Sequence, residues 1–173
     1  MNCSSPADVS FAYDVLYESN KLWARQRFMG VQTQQNPMDA WILQEILWDT
    51  QPDLLIETGT QNGGAALYYA AMMQLYNPNA RVLTIDTQPV DQHKPLYAIP
   101  GFCSRVECKN ATSNPLWNRH VEFLRGDSTS QSTLNYVSRV TRKAQRVMVV
   151  LDSWHSFAHV KREIAAYHHL VTP

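Results

Sequence analysis

Short, largely apolar runs alternate with longer stretches of mixed polarity through most of this chain. The runs are Leu54-Leu55-Ile56, Val82-Leu83, Val121-Glu122-Phe123-Leu124 and Val147-Met148-Val149-Val150-Leu151. Each has strand length, and the spacing predicts strands at residues 53–57, 81–86, 121–124 and 147–151. The stretches between them predict helices. Residues 62–76 are rich in Ala, Leu, Tyr and Met and are stopped by Asn77-Pro78, and residues 130–144 and 156–170 follow the third and fourth strands. A long loop of Pro, His and Asn, with room for a short turn of helix, fills the gap before residue 121.

Upstream, Val9, Val15, Leu16, Leu22 and Trp23 predict a helical segment over residues 8–29. Asn36-Pro37 is a sharper signal, because Asn caps a helix and Pro fits its first turn, with Asp39 complementing the dipole. That helix runs to about residue 50, with Trp41, Ile42, Ile46 and Trp48 as its apolar side, and Gln51-Pro52 stops it. Strands that are nearly continuously apolar and alternate with helices imply an α/β fold, an open, mostly parallel sheet with helices on both faces. Residues 1–36 form an N-terminal helical segment and linker, and residues 37–173 form the α/β domain. There is no internal repeat.

Composition narrows the function classes. The 173 residues are 45% hydrophobic and 17% charged, as in a folded globular protein. Fifteen basic and fifteen acidic side chains give zero formal net charge, so nothing favours nucleic acid or an anionic membrane as partner. Arg139, Arg142, Lys143 and Arg146 read as a solvated helix face. No apolar run reaches the roughly 20 residues of a membrane span. Met1-Asn2-Cys3-Ser4-Ser5-Pro6 lacks the features of a signal peptide, so a cytoplasmic protein with reduced thiols is expected. Cys103 and Cys108 could bridge only in an oxidising compartment, and the Asn110-Ala111-Thr112 sequon is expected to go unused. There is no CxxC or Cys–His array to suggest zinc.

The candidate chemistry sits where strands end. The four strands finish in Glu57, Asp86, Asp127 and Asp152, and in an open parallel sheet ligands bind beyond the carboxyl ends of the strands. Any one of these acids could simply start a turn, but all four should share a rim. The first strand opens into Gly59-Thr60-Gln61-Asn62-Gly63-Gly64, a turn where backbone can approach a ligand. Asp86 follows this turn by about 20 residues, the spacing at which a carboxylate meets ribose hydroxyls. The glycine spacing departs from the dinucleotide fingerprint, and no phosphate-cradling P-loop is present.

Glu57-Thr58-Gly59-Thr60 with Gly63-Gly64, then Thr84-Ile85-Asp86, then Leu151-Asp152-Ser153-x-His155 with Val160 resemble the cephalosporin hydroxylase/rhamnosyl O-methyltransferase family. That family belongs to the class I S-adenosylmethionine-dependent methyltransferases. Trp23, Gly30, Pro37 to Trp41, Gln44-Glu45 and Pro52-Asp53 resemble the family's approach to its first strand, so the likeness runs from about residue 23 to 173. The resemblance implies a Rossmann-like fold and O-methyl transfer to a small-molecule or sugar hydroxyl. It implies a cofactor site of Glu57, Gly59, Thr60, Gly63, Gly64, Asp86, Asp127 and Ser128. Glu57 would lie near the amino group, Asp86 at the ribose, and Asp127 and Ser128 beside the adenine. Asp152 would be catalytic as a ligand of a divalent ion such as Mg2+, which would lower the pKa of the substrate hydroxyl. His155 would act as base or support Asp152, although a helix-start residue with a local hydrogen bond accounts for it equally well.

In the family a further glycine turn, strand and acidic pair follow the equivalent of Pro173, and that pair completes the metal site. Their absence from the sequence gives the expectation of a C-terminally shortened sheet. Val147 to Leu151 would then be an exposed edge able to pair with a partner, including a second copy. A catalytically inactive remnant that only binds cofactor or partner is the alternative. His93, His120 and His159 show no partner spacing, Tyr68 and Tyr69 read as core or helix surface, and Trp154 reads as either a pocket wall or packing.

Overall fold

A computed structural model describes residues 5–90 and 109–172. Cys3, Cys103, Cys108 and His93 therefore lie outside the described residues.

Helix α1 (Pro6–Ser19) starts at a capping box, in which Ser5 Oγ accepts from the Asp8 amide and the Asp8 carboxylate accepts from the Ser5 amide. It stops ten residues short of the helix expected to run to residue 29. Asn20 turns its side-chain amide onto the Leu16 carbonyl at 2.9 Å, and Lys21 takes a left-handed conformation, φ 50°. A 3₁₀ turn, Leu22–Arg25, follows. The rest of the expected helix is a hairpin of β1 (Arg27–Phe28) and β2 (Val31–Gln32). Its two-residue turn, Met29-Gly30, has φ 52° and 85°, the doubly positive pattern that matches the twist of a hairpin.

Helix α2 (Pro37–Thr50) is capped by Asn36, whose Oδ1 accepts from the Met38 amide at 3.0 Å. Its expected apolar side faces out: Trp41, Ile42, Ile46 and Trp48 are all exposed. Leu47 (1% exposed), with half-buried Leu43, is the side that packs. Aromatic bulk along the helix masked a narrower inward stripe.

The sheet and its helices follow as β3 (Leu54–Thr58), α3 (Gly64–Gln74), β4 (Arg81–Asp86), α4 (Pro115–His120), β5 (Val121–Arg125), α5 (Gln131–Thr141), β6 (Val147–Leu151) and α6 (Phe157–Tyr167). All strand pairs in this sheet are parallel, in the order β5-β4-β3-β6. One apolar layer, including Leu55, Leu67, Tyr69, Val82 and Trp117, packs α2, α3 and α4 on one face. A second, including Ile56, Leu83, Ile85, Val137 and Tyr167, packs α5 and α6 on the other. Leu55, Ile56, Leu67 and Leu83 have at most 1% exposure, and full burial of such a side chain is worth about 1.5–3 kcal/mol. Ala24 and Val31 are equally buried, so the segment before α2 packs into the same body. The fold is the α/β, Rossmann-like one, with helices on both faces of an open parallel sheet.

β3 has β4 on one side and β6 on the other, so the chain reverses its strand order there. Such a switch point leaves a crevice beyond the carboxyl ends of the two strands. β6 pairs with β3 on one edge, and Thr172 meets the start of β6: its amide donates to the Val147 carbonyl and its hydroxyl accepts from the Val147 amide. Among the described residues no helix is long and apolar enough to cross a membrane.

Candidate active site

At the switch point the Gly59 amide donates to the Ile85 carbonyl (2.8 Å), and the Asp152 amide donates to the Thr58 carbonyl (3.0 Å). Gly59 has φ +90°, and a β-carbon there would lie 2.1 Å from the Asp152 carbonyl oxygen. Its lack of a side chain thus lets β3 close against the turn after β6. A β-carbon on Gly64 would likewise lie 2.2 Å from the Gln32 carbonyl oxygen, so α3 starts directly beneath the β1–β2 hairpin. The close approaches made by both glycines are to the chain itself.

Above this floor is a cavity of about 720 Å³. Gly59, Thr60 and Gln61 form its base, and Leu151, Asp152, Ser153 and His155 form one wall. The segment before β3 roofs it with Tyr17, Trp23, Gln34 and Gln35, and Glu18 and Asp39 add negative charge. Tyr17 donates to the Gln35 carbonyl at 2.8 Å, and the Gln35 amide donates to the Tyr69 hydroxyl at 2.5 Å, which fixes the roof to α3. A second hollow of about 600 Å³ lies at the opposite end of the strands, around Asp53, Arg81 and Arg146.

Beneath the cavity Glu57 is fully buried. Thr84 donates its one hydroxyl proton to Glu57 Oε2 (2.5 Å) and so accepts from Thr60 (2.7 Å). Burial pushes the Glu57 carboxyl well above its ordinary range; the Thr84 bond opposes this, and the charges of Asp152 and Asp86 add to it. Its Oε1 has no partner among the described residues. The other buried side-chain polar atoms without a partner among the described residues are Gln34 Nε2, Thr58 Oγ1 and Gln61 Oε1. All four lie at the end of β3 or in the lining above it. Burial also raises the Asp152 carboxyl, which His155 opposes.

Asp86 ends β4 and accepts from the amides of Gln61 and Gln88, each at 3.0 Å, so it pins the turn that carries the glycines. Gln61 itself is left-handed, φ 50°. Asp127 stands apart, after the edge strand β5. It accepts from the amide and hydroxyl of Thr129, bonds that hold its carboxyl below the usual range. The Ser128 hydroxyl is buried and donates to Glu163 at 2.6 Å. Gly63, φ +80°, faces Trp117 and Ala111. The rim therefore divides: Gly59, Thr60, Asp152 and His155 line the cavity over Glu57, Asp86 flanks it, and Asp127 and Ser128 sit at the far edge.

His155 is exposed, with Nε2 3.6 Å from Asp152 Oδ1. Trp154 is 70% exposed, so it is not packed in the core, and it is not among the residues that line this cavity. His159, which lacked a partner in the sequence, is joined by folding to Ser153 (3.0 Å) and Glu163 (3.3 Å). The one sequence signal was the spacing of His159 and Glu163, four residues apart on one helix face. Mg2+ takes several oxygen ligands. Among the described residues no three His, Cys, Asp or Glu gather to hold a metal, so Asp152 there is a lone carboxylate and the metal does not fit these residues alone.

Curated proteins similar to this chain include rhamnosyl O-methyltransferases. That of Mycobacterium tuberculosis is 31% identical over 92% of this chain and 58% of its own length. That of Mycobacterium leprae is 27% identical over 96% of this chain and 65% of its own. The chain thus spans less than two thirds of either relative. Among solved structures, one of CmcI described as Mg-SAM superposes with TM-score 0.57 at 15% identity, covering 85% of this chain and 53% of that one. The calicheamicin methyltransferase CalS11 gives 0.50 at 17%, covering 99% and 76%. At these identities both establish the fold. The model of the rhamnosyl O-methyltransferase/CmcI family matches residues 20–173, from the roof of the cavity through both strands of the switch point, and the chain belongs to that family.

Proposed function

We propose that this chain binds S-adenosylmethionine in the crevice beyond β3 and β6 and serves O-methyl transfer to a sugar hydroxyl. The observation that carries the reading is the set of unpartnered buried polar atoms, Glu57 Oε1 foremost, gathered at the end of β3 by the switch-point cavity. Buried polar groups are almost always satisfied, so their clustering at one strand end supports a polar ligand there.

The side chains fit that ligand. Glu57 offers a buried acceptor for an ammonium group, and a cation beside it would favour the carboxylate form that burial now opposes. Thr60 and the Gly59 backbone lie at the cavity base, and Gly63 and Gly64 set the start of α3 behind them. Asp86, at the end of the second sheet strand, suits a ribose diol. Asp127 is an acceptor for an exocyclic amine, and Ser128 holds its turn. Bound there, the cofactor supplies a methyl carbon on a sulfonium centre. The acidic walls, Glu18, Asp39 and Asp152, favour such a cation. His155 stands at the wall to take the hydroxyl proton, with Asp152 orienting it and burial raising the basicity of that carboxylate. The name carried by the mycobacterial relatives supports a sugar as acceptor.

Calorimetric titration of the folded protein with S-adenosylhomocysteine tests the reading. Saturable heat is expected, and its absence would overturn the assignment. Mass spectrometry of a rhamnoside incubated with S-adenosylmethionine then tests transfer. Binding without a methylated product would mark this chain as a binding unit alone.

A further inference from the structure

The polar cluster beneath α6 is not used by the proposed chemistry, yet it encloses a costly group. Glu163 is 1% exposed in the middle of an amphipathic helix, where an apolar side chain would pack at lower cost. Its Oε1 accepts from Ser128 at 2.6 Å and from Ser153 at 2.7 Å. Each serine thereby spends its only proton, so both serine oxygens can only accept. His159 Nε2 lies 3.0 Å from Ser153 Oγ and 3.4 Å from Ser128 Oγ. It must carry the ring proton toward them. Arg162 has only donors and meets Nδ1 at 3.3 Å, which requires the same tautomer. A histidine activating a serine nucleophile would face it with the bare nitrogen, so this cluster is not a hydrolytic triad.

The placement of the two serines gives the cluster another use. Ser128 directly follows Asp127, and Ser153 directly follows Asp152. One belongs to the turn after β5 and the other to the turn after β6, at opposite edges of the sheet. A single carboxylate oxygen holds both. Tyr167, one turn further along α6, adds a 2.7 Å bond to the Ser128 carbonyl. On its other side, the Asp152 turn is closed against Gly59.

We propose that Glu163 is a positioning residue for the site, locking the Asp127 and Asp152 turns into one fixed relation through Ser128 and Ser153. The coupling between turns stands on the geometry; its effect on ligand affinity rests on the functional reading above.

Hydrogen exchange read by mass spectrometry tests the coupling without ligand. Ser128→Ala should speed exchange across residues 152–156, on the far side of the sheet, as well as locally. Change confined to residues 126–131 would overturn the proposal. Titration with S-adenosylhomocysteine tests the consequence. Glu163→Leu should weaken binding about tenfold, as expected for a loosened site. Glu163→Gln, which keeps an oxygen acceptor for both serines, should return affinity to within about threefold of the parent. A Glu163→Leu protein with altered melting temperature but unchanged affinity would show a purely structural role and overturn the positioning. Failure of the parent protein to bind would sink the cofactor reading alone, leaving the exchange result to decide the coupling.

Discussion

Replacing Gly59 by alanine tests how tightly the floor of the crevice is built. The new methyl would lie 2.1 Å from the Asp152 carbonyl oxygen, 2.7 Å from its carbon and 2.8 Å from Ser153 Cα. All three are backbone atoms, so no side chain can rotate away. The Asp152 amide is also bonded to Thr58, which keeps the turn from retreating. At φ +90° the β-carbon adds a left-handed cost of about 1–2 kcal/mol. Overpacking adds about 1–3 kcal/mol. The expected loss, about 2–5 kcal/mol, is a large share of the roughly 5–15 kcal/mol that holds a domain together. Urea unfolding followed by circular dichroism should show the midpoint falling by about 1–2 M at unchanged slope. A loss below about 0.5 kcal/mol, the range of an ordinary surface change, would refute the close contact between β3 and the Asp152 turn.

Glu57→Gln should flatten a pH dependence. The folded state binds the Glu57 proton more tightly than the unfolded chain, so native stability falls as pH rises from the ordinary glutamate range toward the raised value. The variant should therefore gain stability relative to the parent in urea midpoints as pH rises above the ordinary glutamate range of about 4, and parallel curves would count against a buried acid. Asp86→Ala removes the acceptor for the Gln61 and Gln88 amides and should weaken S-adenosylhomocysteine binding about tenfold. Asp152→Ala should instead leave that affinity within about threefold and suppress methyl transfer, which titration and product mass would separate. On α2, Leu47→Ala should cost about 2–5 kcal/mol in the same urea assay. Trp48→Ala should stay within about 0.5 kcal/mol, and the reverse order would mean the helix is turned over.

The centre of the sheet was readable because β3 and most of β4 are buried on both faces. β3 is buried at every position, and that two-sided burial appears in the sequence as an unbroken Leu-Leu-Ile run. The strand ends were readable because an acid closes each apolar run, although Glu57 is itself buried. Helix faces were harder. Along α2 the bulky aromatics suggested an inward side, while the narrow Leu43–Leu47 stripe does the packing. The hairpin was hidden because two-residue strands carry no period, and its turn depends on Met29 taking a positive φ that few side chains adopt. The Ser128–Ser153–His159–Glu163 cluster draws on three separate segments, and only the strand order brings them together. The residues at each strand end could be read locally; the contacts that α6 adds to them could not.

The position of β3 also shapes how the molecule assembles. Its pairing with β4 needs only the intervening helix to fold back, a short loop to close. Its pairing with β6 joins segments far apart along the chain: Asp53, just before β3, holds the amide of Gln145, 92 residues away. Closing so long a loop costs more entropy and comes late, so the β3–β6 seam is expected to be the last part of the sheet to form. The crevice lies along that seam. A ligand seated there would bridge an early-folding half and a late-folding half, and by slowing their separation would act as a kinetic clasp on the whole chain.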